Sequence, residues 1–201
     1  YLEFITPGVV VMTALFSSGW AGTIYIQDME RGVMDRLLAS PVSRGAMIVG
    51  TVAYQSITTI AQTVVIFVIA YASGARFPGA AAGIPITFLA ACLISVVIAS
   101  FSDAVALLLR QQEALIGISQ AIILPLQFLS SAIMDTRVAP AWVRDVARFN
   151  PVDWAATASR AALSAHTDWG VVWPRLGLLL ALSVVLGWLA TRAFGNYQRS
   201  L

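Results

Sequence analysis

The sequence predicts an all-α protein, a polytopic membrane helical bundle that crosses the bilayer five times and forms a single domain over residues 1–201. Composition is the first reason: 59% of the 201 residues are hydrophobic and only 11% are charged, whereas soluble domains carry about 25% charged residues. The second reason is that five long stretches lack charged residues. A helix rises about 1.5 Å per residue, so about 20 apolar residues cross a hydrocarbon core of about 30 Å.

The charge-free runs place the five spans in order along the chain. Apolar runs such as "VVIFVIAYA" have no polar stripe of the kind that a soluble helical bundle requires. Lone charges near a helix end can reach the interface, so the third span extends through Asp103 toward Arg110. The predicted spans are residues 4–27, 45–75, 77–109, 114–134 and 171–194.

Between the first two spans lies a compact charged segment, "DMERGVMDRLLASPVSR", over residues 28–44. Read as a helix of 3.6 residues per turn, it places apolar side chains on one face and charged side chains on another. The apolar face has Met29, Val33 and Leu37, and the charged face has Asp28, Arg31 and Asp35. Ser40 and Pro41 then end this helix and begin the next. Such a helix can lie on the membrane, meet a soluble protein, or be a solvated turn.

Residues 135–175 hold four of the six tryptophans, which concentrate at membrane–water interfaces. "PAWVRDVARF" sets apolar against charged side chains, and "NPVDWAATASRAAL" restarts a helix with Asn150 as the N-cap and Pro151 at the first helical position. Two short helices over about 140–165, lying in or dipping into the interface, fit this pattern. An ordinary amphipathic loop is the alternative.

Polar side chains recur at helical spacing inside two spans. They are Gln55, Thr59 and Gln62 in the second span, and Gln120, Gln127, Ser130 and Ser131 in the fourth. They are candidates for the lining of a substrate path, because polar groups in hydrocarbon face protein or a cavity. Hydrogen bonding between neighbouring helices is the alternative. No acidic residue is expected at the middle of a span, which argues against a proton-driven relay.

Several chemistries are excluded by what residues 1–201 lack. All twelve basic residues are arginine, and a nucleotide-binding P-loop requires lysine. One histidine, His166, and one cysteine, Cys92, make a metal site or a Cys–His nucleophile a poor expectation. The net charge of +2 has no basic run, so nucleic acid is not an expected partner. We expect no catalytic residue, metal or cofactor in the chain.

Two motifs carry a family resemblance. The first is "ERGVMDRLLASPVSR", which directly follows a span containing Pro7-Gly8. The second is "LPLQFLSSAIMDTRVAPAWVRDVARFNPVDWAATASRAAL", in which a proline-containing span leads to small residues, Pro-x-Trp, Asn-Pro and an arginine. Together they resemble the type-2 ATP-binding cassette permeases, the membrane subunits of daunorubicin-resistance-type exporters. The resemblance follows the whole chain in span order.

This resemblance implies roles for two segments. Residues about 28–40 resemble the coupling helix that docks on a separate ATPase, with contacts expected from Glu30, Arg31, Gly32, Asp35, Arg36, Leu37, Leu38, Ser40 and Pro41. Residues about 140–165 resemble the re-entrant helices of the outer face, with Pro140, Trp142, Asn150, Pro151 and Arg160 at the matching places.

The resemblance also implies partners and orientation. The expected partners are two copies of the ATPase, which would bind ATP and Mg²⁺, a second permease half that is identical or homologous, and membrane lipid. Under the positive-inside rule, the loops richer in arginine face the cytoplasm. The two sides of the membrane have equal numbers of arginine unless residues 135–175 are left out of the count. The resemblance places the coupling helix and the C-terminus in the cytoplasm of what we expect to be a bacterial cell. The family has six spans, so we expect the missing one to precede Tyr1.

The function implied is export of hydrophobic or amphipathic cargo, drug or lipid-like, out of the cell. Two other classes stay open from the residues alone. An intramembrane lipid-processing enzyme needs clustered His, Asp or Glu near the interface, and Asp145, Asp153 and His166 are the best candidates. A non-catalytic channel or assembly subunit would tolerate the polar stripes.

Overall fold

A computed structural model describes residues 2–33, 36, 44–132, 141–164 and 166–199 of the chain. Helices dominate these residues, and no strand occurs among them. The helices are α1 (Leu2–Ser18), α2 (Thr23–Glu30), α3 (Arg44–Ala72), α4 (Ala80–Leu109), α5 (Gln112–Phe128), α6 (Ala141–Ala147), α7 (Pro151–Leu163) and α8 (Trp169–Arg199).

Four segments of the described chain are long and apolar enough to cross a membrane. They are Leu2–Glu30, Gly45–Ala72, Ala80–Leu109 and Trp169–Arg192. They match the first, second, third and fifth predicted spans. The predicted span 114–134 is a helix of 17 residues that ends at Phe128. At about 1.5 Å per residue it is about 26 Å long, which is shorter than a typical hydrocarbon core.

Helix α4 is the centre of the bundle. It packs against α1, α2, α3, α5, α7 and α8. Small side chains such as Ala90, Ala91 and Ala99 are fully buried along it, which lets neighbouring helices approach closely. In the most apolar 18-residue stretch of α4, 56% of the residues are buried, whereas the share is 22% in the corresponding stretches of α3 and α8. Most of α3 and α8 is therefore available to lipid or to another chain.

Exposed apolar side chains cover the outside of α3. Val49, Ile57 and Val68 are each more than 60% exposed. A water-soluble protein rarely presents so much contiguous apolar surface. In a bilayer such a surface is solvated by lipid, so the exposure pattern agrees with a multi-pass membrane protein.

The first predicted span is not one continuous helix. Helix α1 ends at Ser18, a turn covers residues 19–22, and α2 begins at Thr23. Gly22 lies against the backbone of α4, and an added Cβ there would collide with the Ser102 carbonyl group. Glycine therefore permits the close contact that holds the break against α4.

Candidate functional site

The charged segment after the first span is interrupted by a helix end. Glu30 is the last residue of α2, and the Arg31 N–H donates to the Gln27 carbonyl oxygen at 3.0 Å. Gly32 has φ +66°, a left-handed conformation that ends helices and favours glycine. The structure thus differs from the prediction of one helix over 28–40, because its first residues belong to α2.

Beyond this break, Val33 and Arg36 are helical, and Glu30, Arg31 and Arg36 are exposed. The charged side chains therefore lie at the surface, where a second protein can reach them. The remaining candidates of the segment, Asp35, Leu37, Leu38, Ser40 and Pro41, lie outside the described residues.

The break in the first span is held by one side chain of α4. The Ser102 hydroxyl accepts a hydrogen bond from the Gly22 N–H at 3.1 Å and donates to the Gly19 carbonyl oxygen at 2.9 Å. Ser102 is fully buried. Backbone groups freed at a helix break in a membrane need partners from protein, and Ser102 supplies two of them.

Two of the candidate path residues on α3 bond neighbouring helices. Gln55 is 5% exposed, and its Nε2 donates to the Ser17 hydroxyl of α1 at 3.0 Å. The Thr59 hydroxyl donates to the Ser95 hydroxyl of α4 at 2.9 Å, and the Ser18 hydroxyl lies 2.8 Å from the same Ser95 oxygen. This geometry favours helix–helix hydrogen bonding as the role of Gln55 and Thr59.

Two other candidates keep unused hydrogen-bonding capacity. The Oε1 atoms of Gln62 on α3 and Gln127 on α5 are buried, and no described residue bonds either atom. Gln120 is half-buried on α5. Gln62 and Gln127 thus differ from Gln55 in having an Oε1 atom that no described residue bonds.

Ser130 and Ser131 lie at the end of α5 rather than inside it. The Ser130 hydroxyl donates to the Gln127 carbonyl oxygen at 2.8 Å. The Ser131 N–H donates to Asp153 Oδ1 at 2.9 Å. Both residues are buried. The bond from Ser131 connects the end of α5 to Asp153 of α7.

At the same end of the bundle, Asn150 joins two helices. Its Oδ1 accepts from the Val152 N–H at 2.9 Å, which caps α7 with Pro151 at the first helical position, as predicted. Its Nδ2 donates to the carbonyl oxygens of Leu126 and Leu129 at 2.7 and 2.8 Å. Two short helices, α6 and α7, thus occupy the predicted segment, and their position at the membrane interface stays a prediction.

Arg160 of α7 connects to the start of α1. Its Nε donates to the Phe4 carbonyl oxygen at 3.1 Å, and its Nη2 donates to the Ala132 carbonyl oxygen at 2.8 Å. The guanidinium carbon lies 3.9 Å from the centre of the Phe4 ring, a cation–π contact. Trp142 of α6 is 61% exposed, as an interfacial side chain would be. Pro140 lies outside the described residues.

Sequence reasoning missed the burial of Asp103. This residue lies within α4, two turns before its end, and is 0% exposed. Neither carboxyl oxygen bonds any of the residues that the structure describes. Its position directly after Ser102 could have indicated this burial, since a pair of polar residues near the end of a span can face the bundle interior. Asp103 lies near the end of α4, so it does not conflict with the expectation that no acidic residue lies at the middle of a span.

Among the described residues, no group of three His, Cys, Asp or Glu side chains converges as metal ligands do. The described part of the site therefore consists of a charged surface beside α2, hydrogen bonds within the bundle, and a polar end built by α6 and α7.

Comparison with known proteins identifies related transport permeases. A daunorubicin resistance ABC transporter permease protein, DrrB1, of Streptomyces coeruleorubidus is 25% identical over 187 residues, which cover 92% of this chain and 64% of the relative. A putative transport permease, ycf38, of Cyanophora paradoxa is 29% identical over 170 residues, which cover 84% of this chain and 58% of the relative. The chain thus spans about three fifths of the length of these relatives.

A second ycf38 putative transport permease, from Porphyra purpurea, is 26% identical over 84% of this chain and 58% of the relative. No solved structure matches the chain. The family profile of the ABC-2 type transporters matches residues 1–164, most of the chain and nearly all of the elements described above. The chain therefore belongs to the ABC-2 type transporter family.

Proposed function

We propose that this chain is the membrane subunit of an ATP-driven exporter whose energy comes from a separate ATPase subunit. The observation that carries the proposal is a family match to ABC-2 type transporters in a chain whose 201 residues contain no lysine. A P-loop needs lysine to reach the nucleotide phosphates. ATP and Mg²⁺ then bind the partner, and the chain itself is not an enzyme.

The surface beside the end of α2 is the proposed contact with the ATPase. Glu30 and Arg31 are exposed there, and ionised side chains form strong hydrogen bonds with a complementary surface. Gly32 separates this surface from Val33 and Arg36, so a displacement of the residues after Gly32 would reach the first span through this short connection. Leu37 and Leu38 would supply hydrophobic anchors.

The cargo we propose is hydrophobic or amphipathic. Gln62 and Gln127 retain buried acceptor atoms within largely apolar helices, which suits a molecule with few polar groups. One relative is named for resistance to daunorubicin, an amphipathic drug, so that drug is a reasonable first probe. A complete exporter would contain a second permease half and two ATPase copies, with the α2 end facing the cytoplasm of a bacterial cell.

Reconstitution tests the proposal. Tagged protein is purified from its native membranes, and co-purifying proteins are searched for a P-loop ATPase. The complex is then placed in liposomes, and ATP-dependent movement of daunorubicin is followed by fluorescence. We expect transport that requires both subunits, and none when the P-loop lysine of the ATPase is replaced. Turnover of ATP by the isolated chain, or labelling of Glu30 from outside the cell, would contradict the proposal.

A further inference from the structure

A cavity rich in arginine lies at the end of the bundle that contains α6 and α7. Its volume is about 600 Å³, within the usual range for small-molecule sites. Helices α6, α7 and α8 contribute to its walls, together with Phe4 of α1. Its charged side chains are Arg144, Arg148, Arg160, Arg175 and Asp153. Among the described residues of the wall, four guanidinium groups thus accompany one carboxylate.

Two of these arginines are held by the protein. Arg175 Nη1 lies 3.2 Å from Asp153 Oδ2, and Asp153 also accepts the Ser131 N–H through Oδ1. Arg160 donates to the carbonyl oxygens of Phe4 and Ala132. These bonds fix the positions of both guanidinium groups.

The other two arginines are exposed at the cavity wall. Arg148 is paired with Asp145 at 4.0 Å, with both side chains more than 70% exposed, and such a pair contributes little. Arg144 is exposed, and no described residue bonds its guanidinium group. Arg144 and Arg148 are therefore available to an anion that enters the cavity.

The residues around α6 and α8 indicate where the anion comes from. Trp142 and Phe149 are 61% and 82% exposed beside the two available arginines. Trp169 and Trp173 stack at 5.9 Å on the first turns of α8, close in sequence to Arg175. Exposed aromatic rings of this kind lie at the depth of lipid headgroups. The cavity is thus placed where a headgroup phosphate is found.

A second cavity lies beside the first. Phe4 and Arg160 line both, and the second cavity has a volume of about 380 Å³. Phe77 and Leu163 give it an apolar wall, and Glu3 lies at its edge. The carboxylate of Glu3 disfavours an anion in this second cavity, whereas the apolar wall suits hydrocarbon. The two cavities together therefore suit a molecule in which a phosphate group, in the first cavity, is joined to an apolar chain, in the second.

We propose that the arginine cavity is a binding site for the phosphate headgroup of an anionic membrane lipid. Arg144 and Arg148 would bind the phosphate oxygens, since a guanidinium group presents paired donors that match phosphate. Arg160 and Arg175 would form the fixed part of the wall beside them. The site needs neither the ATPase nor a transported cargo, so it is independent of the proposed export function.

Native mass spectrometry of the purified full chain tests this site. The protein in detergent is titrated with phosphatidylglycerol, and in a parallel series with inorganic phosphate. Replacing both available arginines, Arg144→Gln with Arg148→Gln, should weaken phosphatidylglycerol binding about five- to twenty-five-fold, at about 1 kcal/mol per arginine. The matched control is Arg76→Gln, which removes an exposed charge at the same end of the bundle, outside the cavity. It should leave binding unchanged.

Two results would overturn the proposal. One is an equal weakening of phosphatidylglycerol binding in the double variant and in Arg76→Gln, because the effect would then come from the net charge of the protein and not from the cavity. The other is displacement of the lipid by an equal concentration of inorganic phosphate, which would assign the cavity to a soluble anion. If the double variant folds poorly, Arg144→Gln alone serves as the test and should weaken binding about fivefold.

Discussion

The Ser102 hydroxyl oxygen and the Gly22 backbone nitrogen lie 3.1 Å apart, although 80 residues separate them in sequence. The same hydroxyl donates to the Gly19 carbonyl oxygen at 2.9 Å. One side chain of the central helix thus satisfies a donor and an acceptor on the two sides of the break between α1 and α2. The break is therefore a stabilised feature of the first span.

Ser102→Ala should lower the thermal unfolding midpoint in detergent, because it leaves a buried donor and a buried acceptor without their partner. The expected cost is about 1–3 kcal/mol. Ser56→Ala is the matched control, since the Ser56 hydroxyl donates only within its own helix, to the Val52 carbonyl oxygen at 2.8 Å. Equal midpoints for the two variants would show that Ser102 does not hold the break.

Gly22→Ala should destabilise the protein by overpacking. Gly22 has φ −64° and ψ −15°, a conformation that alanine adopts readily, so the backbone itself is not strained. The added Cβ would meet the Ser102 carbonyl oxygen and lie 2.8 Å from the Ala106 Cβ. We expect a cost of about 1–3 kcal/mol. In Gly177→Ala the new Cβ meets open space, and stability should stay the same or rise.

Two buried aspartates should respond in opposite ways to the same change. Asp153→Asn loses the ion pair with Arg175 and should destabilise the protein by about 1–3 kcal/mol. Asp103→Asn removes a carboxyl group that bonds none of the described residues, so the unfolding midpoint should be unchanged or higher. Differential scanning fluorimetry of both variants checks the pair. A large loss of stability in Asp103→Asn would reveal a partner for this carboxyl group.

Substitution of the two glutamines of α3 should distinguish a role in helix packing from a role in cargo binding. Gln55→Leu breaks the bond to the Ser17 hydroxyl and should lower stability by about 0.6 kcal/mol, an average for such bonds in membranes. Gln62→Leu loses an Oε1 atom that no described residue bonds, so stability should be kept while cargo preference shifts. Transport of several dyes by the reconstituted complex gives the profile. An unchanged profile in Gln62→Leu would assign this residue to packing.

The charged surface beside α2 should link ATP hydrolysis to transport. Replacing Glu30 and Arg31 with alanine should reduce transport about tenfold through the loss of charge-assisted contacts, while the chain stays folded. Transport and ATPase activity are measured together in liposomes. Glu113→Ala removes another exposed acid, in the first turn of α5, and should have little effect. Full cargo-stimulated ATPase activity and full transport in the double variant would contradict the proposed contact.

Local features of the fold could be predicted from the sequence. Asn150 and Pro151 identify the start of α7 because capping depends on residues that are adjacent in the chain. Four long spans could be predicted from charge-free runs, because such a run is also a local feature of the sequence. These elements need no knowledge of what packs against them.

Features that depend on distant contacts could not be predicted. The break at residues 19–22 lies in an uncharged run, and its partner Ser102 is on another helix. Asp103 is buried by helices that pack around α4, whereas the sequence shows only an acid near a span end. The arginines of the cavity were visible as charges, but their convergence requires the positions of α6, α7 and α8.

Asn150 has a mechanical consequence for the end of the bundle formed by α5 and α7. Its amide group holds the last turn of α5 through two carbonyl oxygens and caps α7 through one N–H. Separating these helices costs both bonds to α5, because one side chain supplies them. The tie between the end of α5 and the start of α7 therefore depends on a single residue, and its loss would free both helix ends at once.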